Sequence, residues 1–251
     1  RRSGQGFQVN DCGQEVLQLG HRIQAAIETS SQKLQALQTG KAGSIGVGVV
    51  STGKYFAPQI LAAFMREYPD IDLRVTIGNR AEITQALDSH AVDLAIMGRP
   101  PQNISAGHDY LGEHPFGIIA AGSHPLRHLQ TVPAAKLLAE TFLMREPGSG
   151  TRALAGRYLD QYGAGRGYAS ITMNANESIK QAVMAGMGIA MISLHTVIHE
   201  LEQERLVCLK MPGLPLVRRW ILVHPTEQPL SGAAEIFRSF LLSKRAAFLP
   251  G

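Results

Sequence analysis

Two stretches of this chain repeat one pattern, and that pattern narrows the possible folds more than any other feature. The first runs from Gly43 to Tyr68. Ile45, Val47, Val49 and Val50 form a β-branched run that breaks on Ser51-Thr52-Gly53-Lys54, and helix-spaced Ile60, Leu61, Phe64 and Met65 follow. In the second, Phe142-Leu143-Met144 breaks at Arg145-Glu146-Pro147-Gly148-Ser149-Gly150-Thr151-Arg152, and a helical pattern runs on to about Tyr162. A strand that turns into a helix leaves unpaired backbone N–H groups at the positive end of the helix dipole, which suits an anion. One copy alone reads as an ordinary capped αβ unit. Two copies, the second with arginines on both sides, point to binding.

The segments between them continue the alternation. Leu73, Val75 and Ile77 form a strand closed by Gly78-Asn79-Arg80, a helix covers 81–89, and the strand 93–97 ends in Gly98-Arg99-Pro100-Pro101. Strand, helix, strand, helix, strand implies a parallel sheet, in which ligands lie beyond the carboxyl ends of the strands. Lys54, Arg80 and Arg99 all fall at such ends. The pattern restarts at Pro115, with strands predicted at 116–121, 142–144, 171–173, 189–192, 206–209 and 220–224. Helices are expected at 133–139, 152–162, 177–185, 195–202 and 232–245. The restart predicts two lobes, 44–113 with 221–248 and 117–218, joined by crossings near 113–117 and 218–221. Separate sheets are expected, with no single sheet running through residues 44–224.

Ahead of this lies a different kind of segment. Residues 1–11 have turn residues and no core of their own, as if a preceding domain had been removed. Asn10 or Asp11 then caps a long helix over residues 12–40. Val16, Ile23, Ile27, Leu34 and Leu37 fall on a heptad seam, flawed at Gly20 and Ser30, which suggests self-association. An amphipathic helix lying on its own domain is the alternative. Gly40-Lys41-Ala42-Gly43 reads as a hinge.

Composition excludes more than it selects. At 251 residues the chain can bury a sizeable core, and a net charge of +4 leans weakly towards anionic partners. Its apolar runs are too short to span a bilayer, and no leader is visible, so a cytoplasmic protein without a membrane partner is expected. Cys12 and Cys208 lack both a disulfide framework and metal-ligand spacing. Gly48 to Tyr55 approaches a phosphate loop, but Tyr55 stands where the metal-binding hydroxyl belongs. His195 and His199 have the spacing of a zinc pair without a third ligand, and read instead as a solvated helix face. No nucleophile–base set can be placed, so catalysis, metals and cofactors are not expected.

These segments together resemble the LysR-type transcriptional regulators without their N-terminal DNA-binding domain. Residues 1–11 resemble the end of the family's winged helix-turn-helix, where Asn10-Asp11-Cys12-Gly13 stands for Thr-x-Ala-Gly. Residues 12–40 resemble the linker helix, and 43–248 the effector-binding domain. Val50 to Pro58, Gly78-Asn79-Arg80, Asp93 to Pro101 and Arg145 to Arg152 are most similar to regulators of RuBisCO operons. The resemblance implies an α/β, two-lobed fold of the type II periplasmic-binding-protein kind behind a linker helix. It also implies a homodimer or homotetramer, contact with DNA through the missing domain, and a phosphorylated metabolite or NADPH as effector. A transport solute receptor shares the fold, but explains neither the heptad helix nor the Arg-Gly-Phe start. The expected ligand site lies between the lobes, lined by Ser51, Thr52, Lys54, Asn79, Arg80, Arg99, Arg145, Ser149, Thr151, Arg152 and Asn176, with helix starts at 53–55 and 150–152.

Overall fold

The structure is a computed structural model that describes residues 2–3, 6–7, 9–39, 43–163 and 167–248. Strands β1 (Arg2–Ser3) and β2 (Gly6–Phe7) pair antiparallel ahead of helix α1 (Asp11–Thr39). Asn10 is the cap: its side-chain oxygen accepts from Gly13 N at 2.8 Å. The next unit is β3 (Gly43–Val50), a 3-10 turn at Ser51–Tyr55, α2 (Ala57–Glu67), β4 (Ile71–Gly78), α3 (Arg80–Asp88) and β5 (Leu94–Met97). Strand β3 lies between β4 and β5, parallel to both. Ile45, Val47 and Val49 are wholly buried on one side. On the other, Gly46 and Gly48 let the α3 side approach so closely that added Cβ atoms would come within 3.1 Å of Val92 and 3.0 Å of Ile83.

The chain then runs through β6 (Ala106–Ala121), α4 (Ala134–Leu138), β7 (Phe142–Arg145), α5 (Gly150–Gly163), β8 (Ser170–Met173) and α6 (Asn176–Met184). It finishes with β9 (Ala190–Ser193), α7 (Ile198–Glu202), β10 (Leu206–Cys208), β11 (Leu216–Pro225) and α8 (Gly232–Phe248). Helix α8 returns to the first unit, where Phe237 and Phe240 meet Phe64 of α2 edge-on at 4.9 and 5.3 Å.

The hydrophobic residues divide where β6 and β11 cross. One core unites β3, α2, α3 and β5 with Leu111, Trp220 to Val223 and α8. Beyond the crossing the period of two along β6 serves two further cores: Phe116, Ile118 and Ala120 face α4 and α5, and Ile119 faces α6. The hydrogen-bonded ladder does not divide. β6 pairs with β11 from Ala106↔Pro225 to Phe116↔Leu216, with a register shift at Trp220/Ile221. β11 also pairs with β5, and the far end of β6 pairs with β9 and β10. Separate sheets were expected; the structure has one continuous path through two long strands. The predicted strands were too short, 116–121 against 106–121 and 220–224 against 216–225. Gly107, Gly112 and Pro115 interrupt the first, and its charged and histidine residues hide its alternation.

Helix α1 touches the domain with polar groups. Gln32 Nε2 donates to Ser44 O and Oγ at 2.7 and 2.8 Å, and Arg74 pairs with Glu28 at 2.8 Å. Its apolar residues face away: Val16, Ile23, Ile27 and Leu34 are 69, 53, 61 and 65% exposed. The side chain of Leu37 and the hinge residues 40–42 lie outside the described residues. Burial of each such side chain is worth roughly 1.5–3 kcal/mol, so several together can hold two copies. Replacing Ile23 and Ile27 by Asp is expected to lower the assembly mass in sedimentation velocity. An unchanged mass would place self-association elsewhere.

Candidate functional site

A cleft of about 480 Å³ opens where β3, β5 and α5 meet the crossing strands. One wall is the end of β3 with Ser51 and Thr52, joined by Arg80 at the start of α3 and by Gly98 and Arg99 after β5. The opposite wall is the start of α5. Ser149 and Thr151 are buried there, and Gly150, Ala153, Leu154 and Arg157 share one helix face at a spacing of 3, 4 and 7. The floor is the crossing itself. His114 and Arg218 are direct cross-strand partners, and Phe116 lies two residues on, so all three present on one face.

The electrostatics are one-sided. Arg80, Arg99, Arg157 and Arg218 line the cleft, its lining includes no Asp or Glu, and none of the four pairs with a carboxylate among the described residues. Burial, then the charges of Arg99 and Arg157, push the Arg80 guanidinium below its ordinary range. Arg80 Nη2 donates to Pro100 O at 3.2 Å, yet its buried Nε has no partner among the described residues. An anion between these groups would relieve both the repulsion and the unmet donor.

His114 is 2% exposed and stacks on Trp220, ring centroids 3.7 Å apart. Its Nε2 shares a hydrogen bond with Ser193 Oγ at 2.9 Å, and its Nδ1 is unpartnered among the described residues. Burial and neighbouring His195 push its pKa down to about 2, so it is neutral. Gly98 leaves that edge of the ring uncovered, since a Cβ there would stand 3.4 Å from Nδ1.

Six of the expected residues are brought together here: Ser51, Thr52, Arg80, Arg99, Ser149 and Thr151. Five are corrected. Arg145 is 3% exposed and its guanidinium is taken up by Glu146, Asn176 and Ser51. Asn176 is buried at the start of α6 as one of those partners. Asn79 caps α3 in a capping box with Glu82. Arg152 donates to Arg145 O at 2.6 Å and to Thr172 Oγ1 at 3.3 Å. Lys54 stands 5.2 Å from the Tyr55 ring centroid, away from the lining. The helix start expected at 53–55 is also displaced: a 3-10 turn occupies 51–55 and α2 begins at Ala57, whereas α5 begins at Gly150 as expected. The expected solvated pair divides, with His199 exposed and His195 buried, accepting from Trp220 Nε1 at 3.2 Å. Among the described residues no cluster suits a metal.

Residues 38–246 match the LysR substrate binding domain. The chain belongs to the LysR family of regulators. Over 239 residues it is 44% identical to the HTH-type transcriptional regulator CbbR of Cereibacter sphaeroides, covering 95% of this chain and 77% of that protein. It is 38% identical to a RuBisCO operon transcriptional regulator of Allochromatium vinosum, over 98% of this chain and 81% of that one. The regulatory domain of CcmR from Synechocystis, solved in complex with 2-PG, superposes with a TM-score of 0.72 at 32% identity, covering 80% and 96% of the two chains. No described helix is long and apolar enough to cross a membrane.

Removing one arginine that pairs with a bound anion costs about 1.5–3 kcal/mol, one to two decades of affinity. Arg80→Ala, Arg157→Ala and Arg218→Ala are each expected to lose that much for a phosphorylated ligand by calorimetry, with distant Arg127→Ala unchanged. His114 gives a second expectation. Its pKa is depressed on folding, so the unfolded chain takes up the proton first, and stability is full above about pH 6.5 and declines as pH falls towards 2. The slope is at most about 1.4 kcal/mol per pH unit for each such group. Urea unfolding of His114→Asn between pH 7 and 5 is expected to show a shallower decline than the unsubstituted chain.

Proposed function

We propose that this region senses a small phosphorylated metabolite and thereby sets the activity of a regulator of carbon-fixation (RuBisCO) genes. The observation carrying the proposal is the cleft's quartet of guanidiniums, none of which has a carboxylate partner among the described residues. Guanidinium forks match phosphate and carboxylate oxygens in pairs, and the buried Thr52, Ser149 and Thr151 add neutral donors. Phe116, Leu154 and Val50 supply an apolar wall for a short carbon skeleton. The volume sits in the lower half of the roughly 300–1,000 Å³ typical of ligand pockets, which favours a small metabolite over NADPH. Similarity to the RuBisCO-operon regulators and to the 2-PG-bound regulatory domain supports the same reading. In this proposal the chain acts as a homodimer or homotetramer, and DNA is bound by an N-terminal domain.

The sole tryptophan provides the assay. Trp220 stacks on His114, which lines the cleft, so its fluorescence reports occupancy. A panel of inorganic phosphate, phosphoglycolate, phosphoglycerate, ribulose bisphosphate, NADPH and the matching unphosphorylated acids is titrated by fluorescence and thermal shift. A ligand at about 100 times its dissociation constant adds about 2.7 kcal/mol of stability. Phosphorylated members are expected to raise the melting temperature and alter the emission. Equal stabilisation by the unphosphorylated acids would overturn the phosphate assignment.

A further inference from the structure

Arg145 sits at the end of β7, inside the second lobe, yet one of its bonds crosses to the first. Nε and Nη2 donate to the Glu146 carboxylate at 2.7 and 2.9 Å, and Nη1 donates to Asn176 Oδ1. Nη2 also donates to Ser51 Oγ at 3.2 Å. Ser51 lines the cleft. A hydroxyl oxygen that accepts from a guanidinium keeps its own proton for another acceptor, and polarisation by the cation strengthens that second bond.

We propose that Arg145 is a positioning residue: without touching the effector, it turns the Ser51 hydroxyl into a donor aimed at the effector's anionic oxygen, and does so only when the lobes are closed. The remaining contacts along this rim make closure and the setting of Ser51 one event. Ala81 N donates to Gly148 O at 3.2 Å across the lobes, where Gly148 holds a left-handed φ of 88°. Tyr55 Oη donates to Glu177 at 3.1 Å, and Lys180 bridges Glu177 and Glu200 at 3.0 Å each. Burial works to raise the Glu146 carboxyl, but hydrogen bonds from Arg145, and from Asn79 of the first lobe, hold it below its usual range. Glu146 and Asn176 therefore hold Arg145 on its own lobe whether or not Ser51 is present, and the bond to Ser51 is the one of its bonds that opening breaks. Lysine could carry the charge but could not reach Glu146, Asn176 and Ser51 together.

This proposal rests on an effector anion in the cleft, and the test separates the two. Affinity for phosphoglycolate is measured by calorimetry for Ser51→Ala, Arg145→Gln and the double variant. Each single change is expected to weaken binding about tenfold, and the double change no more than the worse single one. Arg145→Lys is expected to recover part of the loss, and Arg145→Met replaces Arg145→Gln if that variant does not fold. Losses that multiply to about a hundredfold, or wild-type affinity in Arg145→Gln, would show that Arg145 does not act through Ser51. Hydrogen exchange without ligand gives a second readout: amides of residues 51–55 are expected to exchange faster in Arg145→Gln, and unchanged exchange overturns the latch. If the unsubstituted chain binds no phosphorylated probe, the effector assignment fails and the exchange result alone decides the latch.

Discussion

The antiparallel pairing of β6 with β11 is the constraint on which the cleft depends. Both strands belong to both lobes, and their ladder carries His114 and Arg218 as direct partners near its Phe116↔Leu216 end. The hydrogen bonds of that ladder fix the register of the floor in both lobes at once. The extra residue at the register shift, opposite Trp220/Ile221, lies at the middle of the ladder, just beyond the Trp220↔Gly112 pair, and bulges increase local twist. Trp220 fills the crossing: it stacks on His114, meets Phe56 of the first lobe at 4.9 Å and donates to His195 of the second. One fully buried side chain thus touches the floor of the cleft and a residue of each lobe.

Much of this was legible from residue order, for physical reasons. β3, β5 and β7 are short apolar strands ending in turn residues, and they stand out as near-continuous apolar runs because both faces are buried. α5 starts where its glycine and hydroxyl residues place it. The crossing strands were misread because their first halves are only partly buried and carry Gly107, Gly112, Pro115 and charged residues, so no clean alternation remains. Missing that strand meant missing His114, Phe116 and Arg218, which belong to the site through pairing alone. Arg157 was recoverable: its spacing from Gly150, Ala153 and Leu154 places it on their helix face.

The arginines show where composition stops informing. Arg80, Arg145 and Arg152 all flank strand ends and look alike in sequence, yet one faces the cleft with an unmet donor while the others are occupied by the protein itself. What separates them is the neighbour: Glu146 follows Arg145 directly, and a buried guanidinium beside a carboxylate settles there before any ligand arrives. A charge count at strand ends therefore identifies an electropositive region, and only the acceptors nearby decide which cations remain available.

Helix α1 has two faces bound by different physics. The side against its own domain is held by an ion pair to Arg74 and by amide bonds from Gln32, whereas the outward side presents aliphatic residues. Ion pairs at half-exposed sites weaken as salt screens them, and aliphatic contacts weaken instead on cooling. The two faces of the helix thus answer to different variables, the inward ion pair to ionic strength and the outward aliphatic face to temperature.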